Sequence, residues 1–429
     1  MKNNTEEFLG ELRVGRKLTS ASQTAAGGLV FWIGLLFLLA DPVISLADAR
    51  APLIGFFFAV VLGLTLANVI ELLGGSGEHG GTYVLVHETI GGVVGLLTGW
   101  AILAGCISLF AAMLQIAAMQ LLNLASFDLS YTIPVVLLLL GVLIIFQIFQ
   151  WLPRFIPFRY VIYPLLALVL IILILALPVI RLSVFQNLPT LNLSALNHST
   201  GLLAVSYIVF EMLLMSRRQI QNPQSHLPRA MLGNLIFGGL FFIFALFVIV
   251  GIYVPSPVSG TPTINGLSIP RLIPTWLIQI VAAIALILAA NASMMTAVRQ
   301  LHAFTREGAL PQMVRRLWGP FPMPPALFVL LAVLVIPLVV LAQVDWLINL
   351  SGVLFLVAMS LVDIAAIVSH RVEPERRRTF VVPFTPLVPV LAIVANIILL
   401  HSMPLDSLWS AAVWLALCAI YYILYARYY

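Results

Sequence analysis

Long apolar runs alternate with short polar islands from one end of the chain to the other. Twelve of these runs read as membrane-spanning helices, at 25–40, 52–73, 90–124, 133–151, 161–179, 202–215, 231–254, 272–295, 326–341, 346–370, 387–400 and 408–425. A hydrocarbon core about 30 Å thick takes roughly 20 helical residues. Two runs fall short of that length: the first, at 25–40, stops at Asp41-Pro42, and the sixth, at 202–215, stops at Ser216-Arg217-Arg218. Short or interrupted helices in corresponding places of two halves point to a mid-membrane site in proteins built from inverted repeats. Positions one and six correspond if the pattern repeats every five helices.

Composition narrows the class. Of 429 residues, 62% are apolar and 9% charged, and the mean hydropathy is +1.11. A soluble domain carries about 25% charged residues. A soluble enzyme, a disordered chain and a fibrous repeat are excluded, which leaves an all-α membrane protein. Little chain lies outside the spans, so function must sit among the helices.

The net charge of +5 does not indicate nucleic acid, because the basic residues flank apolar runs. An even number of spans puts both termini on one side. That side then holds eighteen of the 21 Lys and Arg, from Lys2, Arg13, Arg16 and Lys17 to Arg376, Arg377, Arg378 and Arg427. The other holds Arg50, Arg181 and Arg271. This asymmetry places both termini in the cytoplasm of a cell-membrane protein. The polar first twenty residues argue against a cleavable signal peptide. Cys106 and Cys418 lie inside apolar runs and suggest neither a disulfide framework nor a thiolate site.

Ionisable residues at membrane depth are candidates for function. Glu211 in span six is apolar on both sides; it gates, relays a proton, or ties the helix to a neighbour or to freed backbone. Asp363 in span ten stands about two turns from Arg371 and is read mainly as pairing with an arginine near the inner mouth. Asn291 in span eight either faces a pathway or bridges two helices. Glu71 closes span two where water reaches it.

The glycine-rich stretch 74–81 lacks the Gly-Lys-Ser/Thr ending of a phosphate loop and reads as a tight turn. Glu78, His79, His87 and Glu88 have no recognised metal-ligand spacing. Tyr421, Tyr422, Tyr425, Tyr428 and Tyr429 read as an interfacial belt. No metal or cofactor is expected.

Three cytoplasmic junctions together resemble the amino acid–polyamine–organocation transporter family. The first is Gly80-Gly81-Thr82-Tyr83-Val84 with Gly91, Gly95 and Gly99-Trp100. The second is Phe210-Glu211, then Gln221-Asn222-Pro223 and Leu227-Pro228-Arg229-Ala230. The third runs from Ala303-Phe304-Thr305-Arg306 through Glu307-Gly308-Ala309-Leu310-Pro311. Glu373-Pro374, Phe380, Pro383, Pro386 and Pro389 are similar to the family's tail, so the resemblance extends over nearly the whole chain.

The resemblance implies a five-plus-five inverted-repeat fold with helices one and six broken at the midplane. Residues 1–24 would be a cytoplasmic segment, 25–370 the ten-helix core, and 371–429 a cytoplasmic linker with helices 11 and 12. It also implies an amino acid or amine as substrate, possible proton coupling, and half-helix ends that meet the substrate's opposite charges.

The chain departs from the family at that place. Where a Gly-x-Gly should fall in helix one it has Trp32-Ile33-Gly34, and Val209 stands where helix six carries a glycine. Trp32 and Val209 would narrow or fill the pocket, which suggests a small apolar substrate. The expected wall is Trp32, Ile33, Gly34, Ser206, Tyr207 and Val209, with Glu211, Asn291 and Asp363 as gating or proton-linked residues. Span five contains no Lys, so it lacks a buried cation that some relatives carry. Two readings stand. One is a secondary transporter working by alternating access. The other is a non-transporting relic of that fold that serves a partner protein. An enzyme is remote, since no nucleophile–base pair appears.

Overall fold

The computed structural model describes residues 21–74, 81–148, 159–186, 192–217, 220, 222–252, 273–306, 309, 325–372 and 380–424. Hydrocarbon cannot satisfy a peptide group, so apolar runs of this length become helices. The chain builds α1 (Ala21–Ala47), α2 (Ala51–Leu73), α3 (Thr82–Ile90), α4 (Gly92–Ala125), α5 (Thr132–Ile148) and α6 (Arg159–Ala176). The span called six above is composite: α7 (Leu193–Leu202), a 3-10 segment (Leu203–Tyr207) and α8 (Ile208–Met215). Next, α9 (Pro223–Gly233) passes through a π-helical segment (Asn234–Gly238) into α10 (Gly239–Ile252). The remaining helices are α11 (Thr275–Arg306), α12 (Pro325–Leu341), α13 (Val344–Val372), α14 (Leu387–His401) and α15 (Leu405–Leu424).

Among the described residues, nine segments are long and apolar enough to cross a membrane. The first of them, Gly27–Leu73, contains both α1 and α2, and α12 and α14 are shorter apolar helices.

Two expectations about the short spans are corrected. The first run does not end at Asp41-Pro42: α1 is one continuous helix of 27 residues with Pro42 inside it. Proline removes a single donor from the ladder, and Ser45 Oγ donates to the Pro42 carbonyl at 2.9 Å. Nor is α1 broken at midlength. Trp32 and Ile33 stand where a break would need glycine, and α geometry satisfies their backbone without interruption. Span six stays helical too, but the tighter 3-10 winding of Leu203–Tyr207 interrupts its α geometry.

The core is organised around α4, which packs against α11 and α13 along its length. Small residues let these helices approach closely. Ser293 Oγ of α11 donates to the Cys106 carbonyl and Ser351 Oγ of α13 to the Gly105 carbonyl, each at 2.9 Å. The hairpin leading into α4 needs two glycines. Gly91 has φ +120°, a backbone conformation that favours glycine. A Cβ on Gly95 would lie 2.6 Å from His87 Cβ and 2.7 Å from His87 Cα, which is backbone of α3. Gly95→Ala should therefore cost about 1–3 kcal/mol by overpacking, seen as a lower melting temperature of the purified protein. Gly141→Ala in α5, where a Cβ would meet nothing within 4 Å, should leave it unchanged.

Candidate functional site

The predicted wall residues do not all come together. Trp32 and Ser206 line one narrow apolar cleft between α1, α2, the 3-10 segment and α10, with Leu35, Phe58, Leu62 and Phe242 among its walls. The Trp32 ring is tilted against Phe242 with centroids 6.2 Å apart, and its nitrogen edge lies against Gly238 of the π segment. Trp32 Nε1 and Ser206 Oγ are buried and make no hydrogen bond among the described residues.

Ile33, Gly34 and Val209 are not part of this lining. Ile33 and Val209 are fully buried in the core. A Cβ on Gly34 would overlap the Ala289 methyl, so Gly34 serves the close packing of α1 on α11.

Tyr207 turns toward a different cluster. Its hydroxyl donates to Thr65 Oγ1 at 3.3 Å, and Thr65 Oγ1 donates to Asp363 Oδ2 at 3.2 Å. Asn68 Nδ2 donates to Asp363 Oδ1 at 2.8 Å and Asn396 Nδ2 to Asp363 Oδ2 at 3.1 Å. Asp363 is thus fully buried among donors from α2 and α14. The expected arginine partner is corrected: among the described residues, Asp363 bonds to amides and a hydroxyl. Arg371 stands two turns away, toward the end of α13.

Glu211 is also fully buried. Its Oε2 accepts from Thr82 Oγ1 at 2.5 Å and from the Thr82 backbone N–H at 3.3 Å. A carboxyl from α8 therefore caps the first turn of α3, where a negative group is favoured by the free N–H groups and the helix dipole. Gly81 leaves room for it, since a Cβ there would overlap Glu211 Oε1. Between the readings open for Glu211, the geometry is that of a tie between two helices.

Asn291 accepts from Gln147 Nε2 at 2.7 Å, which bridges α11 and α5. Glu71, expected near water, is 2% exposed. It accepts from the Val382 backbone N–H at 2.9 Å and pairs with His370.

The tyrosine belt is corrected in part. The Tyr421 ring lies nearly parallel to Trp100 at 6.1 Å, and its hydroxyl donates to the Ala309 carbonyl at 2.6 Å. Trp414 also stacks on Trp100, at 5.2 Å, and donates to the Trp100 carbonyl. These rings join α15 to the core. Tyr425, Tyr428 and Tyr429, together with Glu78, His79, Gly80, Gln221, Glu307, Gly308, Leu310, Pro311, Glu373 and Pro374, lie outside the described residues.

Thr65, Asn68, Thr82 and Asn396 were missed by sequence reasoning. A signal existed for two of them. Thr65, Asn68 and Glu71 recur every three residues in an apolar helix, which places them along one side.

Comparison with known proteins agrees with this architecture. The methylthioribose transporter of Bacillus subtilis is 23% identical over 53% of this chain and 50% of its own length. The branched-chain amino acid permeases BcaP of Lactococcus lactis and of Bacillus subtilis are 24% and 22% identical over 52% and 53% of this chain. The chain thus matches about half the length of these curated relatives. Among solved structures, a mutant manganese transporter of Eremococcus coleocola has a similar fold. Its TM-score is 0.56 at 14% identity, over 93% of this chain and 92% of that one. The family profile described as amino acid permease matches residues 20–425. The chain is therefore a multi-pass membrane protein that belongs to the amino acid permease family.

Proposed function

We propose that this protein is a secondary transporter that moves a small, largely apolar amino acid or related solute across the cytoplasmic membrane by alternating access. The observation that carries this reading is the cleft beside Trp32. Its walls are aliphatic and aromatic, and its two buried polar atoms, Trp32 Nε1 and Ser206 Oγ, have no hydrogen bond among the described residues. Apolar walls with a few polar groups that fix orientation are the usual form of a small-molecule site. They suit a solute with an apolar body and one polar end. Two of the relatives are named for branched-chain amino acids, which accords with that chemistry.

In this reading twelve helices cross the membrane as two inverted five-helix repeats followed by a final pair, with both termini cytoplasmic. The 3-10 segment at Leu203–Tyr207 is the part of span six best able to change its winding. The Glu211–Thr82 tie holds α8 to α3 and opens when the cytoplasmic side does. An account in which the chain only serves a partner protein gains no support from its relatives, which are named as transporters and permeases.

Uptake or counterflow in proteoliposomes, with a radiolabelled amino-acid panel, tests the proposal. Saturable flux of branched aliphatic amino acids is expected. Trp32→Ala, which removes the indole from the cleft, should extend uptake to bulkier solutes. If no panel member moves and none raises the melting temperature, the transport reading fails and a non-transporting partner role replaces it. Thr82→Val removes the shorter bond to the buried Glu211 carboxyl and should lower stability by about 1–3 kcal/mol, read as a lower melting temperature. Glu211→Gln retains an acceptor for Thr82 and should change the flux rate with a smaller loss of stability.

A further inference from the structure

The cluster around Asp363 has a property that a purely structural tie does not need. Its carboxylate receives three hydrogen bonds, from Thr65, Asn68 and Asn396. Yet Asn68 Oδ1 and Asn396 Oδ1 are themselves buried and without a hydrogen bond among the described residues. Each amide can turn half a revolution about its terminal bond, which exchanges a donor for an acceptor at the place facing Asp363. With both amides donating, the ionised carboxylate is satisfied. With one amide turned, a protonated carboxyl finds an acceptor for its O–H. The same side chains therefore accommodate Asp363 in both charge states, and both states otherwise carry a cost at this depth.

We infer that Asp363, with Asn68, Asn396 and Thr65, is a proton-binding site that couples proton movement to the transport cycle. The inference rests on the transport reading above. The proton is taken from the aqueous phase on one side onto a carboxylate oxygen and held there by an amide oxygen. It is released to the other side when the carboxylate regains its three donors. The link to the cycle is Tyr207, whose hydroxyl donates to Thr65. Tyr207 follows Ser206 of the cleft directly, and its ring meets that of Phe58, another cleft wall, edge-on at 6.0 Å. Turning Thr65 to suit a protonated Asp363 alters the bond that holds the 3-10 segment.

Other titratable and charged groups stand on the elements packed against this site. On α2, Glu71 is engaged by His370 and the Val382 N–H, and on α8, Glu211 is engaged by Thr82. Further groups are Asp345, His370 and Arg371 on α13 itself, Asp41 on α1, Asp48 and Arg50 on the turn before α2, Tyr83, His87 and Glu88 on α3, Cys106 on α4, His198 on α7, His226 and Arg229 on α9, His401 on α14, and Asp406, Cys418, Tyr421 and Tyr422 on α15. Tyr207, on the 3-10 segment, bonds into the cluster through Thr65.

Two measurements test the inference. In proteoliposomes, an inward proton gradient should drive accumulation of substrate by the unaltered protein. Asp363→Asn should lose that accumulation to a far greater extent than it slows counterflow. Separately, infrared difference spectra of the purified protein in bilayers, titrated with pH, should show a protonated-carboxyl C=O band that Asp363→Asn abolishes. Thr65→Val should shift the midpoint of that band, and it serves as the second variant if Asp363→Asn does not fold. Gradient-driven accumulation that survives in Asp363→Asn, a band that persists in it, or accumulation driven by sodium rather than protons would each overturn the proposal. If no solute moves at all while the band behaves as stated, the transport reading fails and the coupling falls with it, and only the binding of a proton at Asp363 stands.

Discussion

Hydrocarbon offers no hydrogen bonds, so every polar group carried into the membrane must find its partner inside the protein. That constraint shapes this structure from the backbone outward. It makes helices of the apolar runs, and it keeps α1 helical through Trp32-Ile33, where no glycine relieves the ladder. The same demand governs side chains. Serines of α11 and α13 donate to successive carbonyls of α4, Glu211 caps α3, and Asp363 gathers donors from two other helices. Each of these bonds also fixes which helices neighbour one another.

Close approach is the second requirement, and small residues meet it. The glycines at 91 and 95 serve different ends: the first permits a backbone conformation, and the second clears space for the returning α3. Gly34 allows α1 to lie closely on α11. Trp32 then projects toward α10, and the cleft it leaves is bordered by α2 and α10 rather than by α11.

Much of the architecture was legible because it follows from local properties. Hydropathy located most of the long apolar helices, and the motifs at three helix junctions indicated the family. The site was read less well. Trp32 and Ser206 line one cleft, whereas Ile33, Gly34 and Val209 lie in the packing between helices. Asp363 was assigned an arginine because Arg371 is near in sequence, whereas its partners come from α2 and α14. Glu71 looked exposed because it ends a helix, and the chain after α13 covers it. Tyr421 looked like a belt residue because it sits near a helix end, and the Trp100 ring takes it inward.

The amino-acid sequence by itself determined that this chain lives in a membrane, where most of its long apolar helices run, and which family it belongs to. Those are matters of composition, run length and short motifs, each contained within a few turns of chain. Only the tertiary structure decided which polar groups meet and what the cleft is made of. Thr65 and Asp363 lie 298 residues apart, and Glu71 and the Val382 N–H lie 311 apart. A helix face shows that a polar group needs a partner, but the rotation and crossing of packed helices select which one it finds.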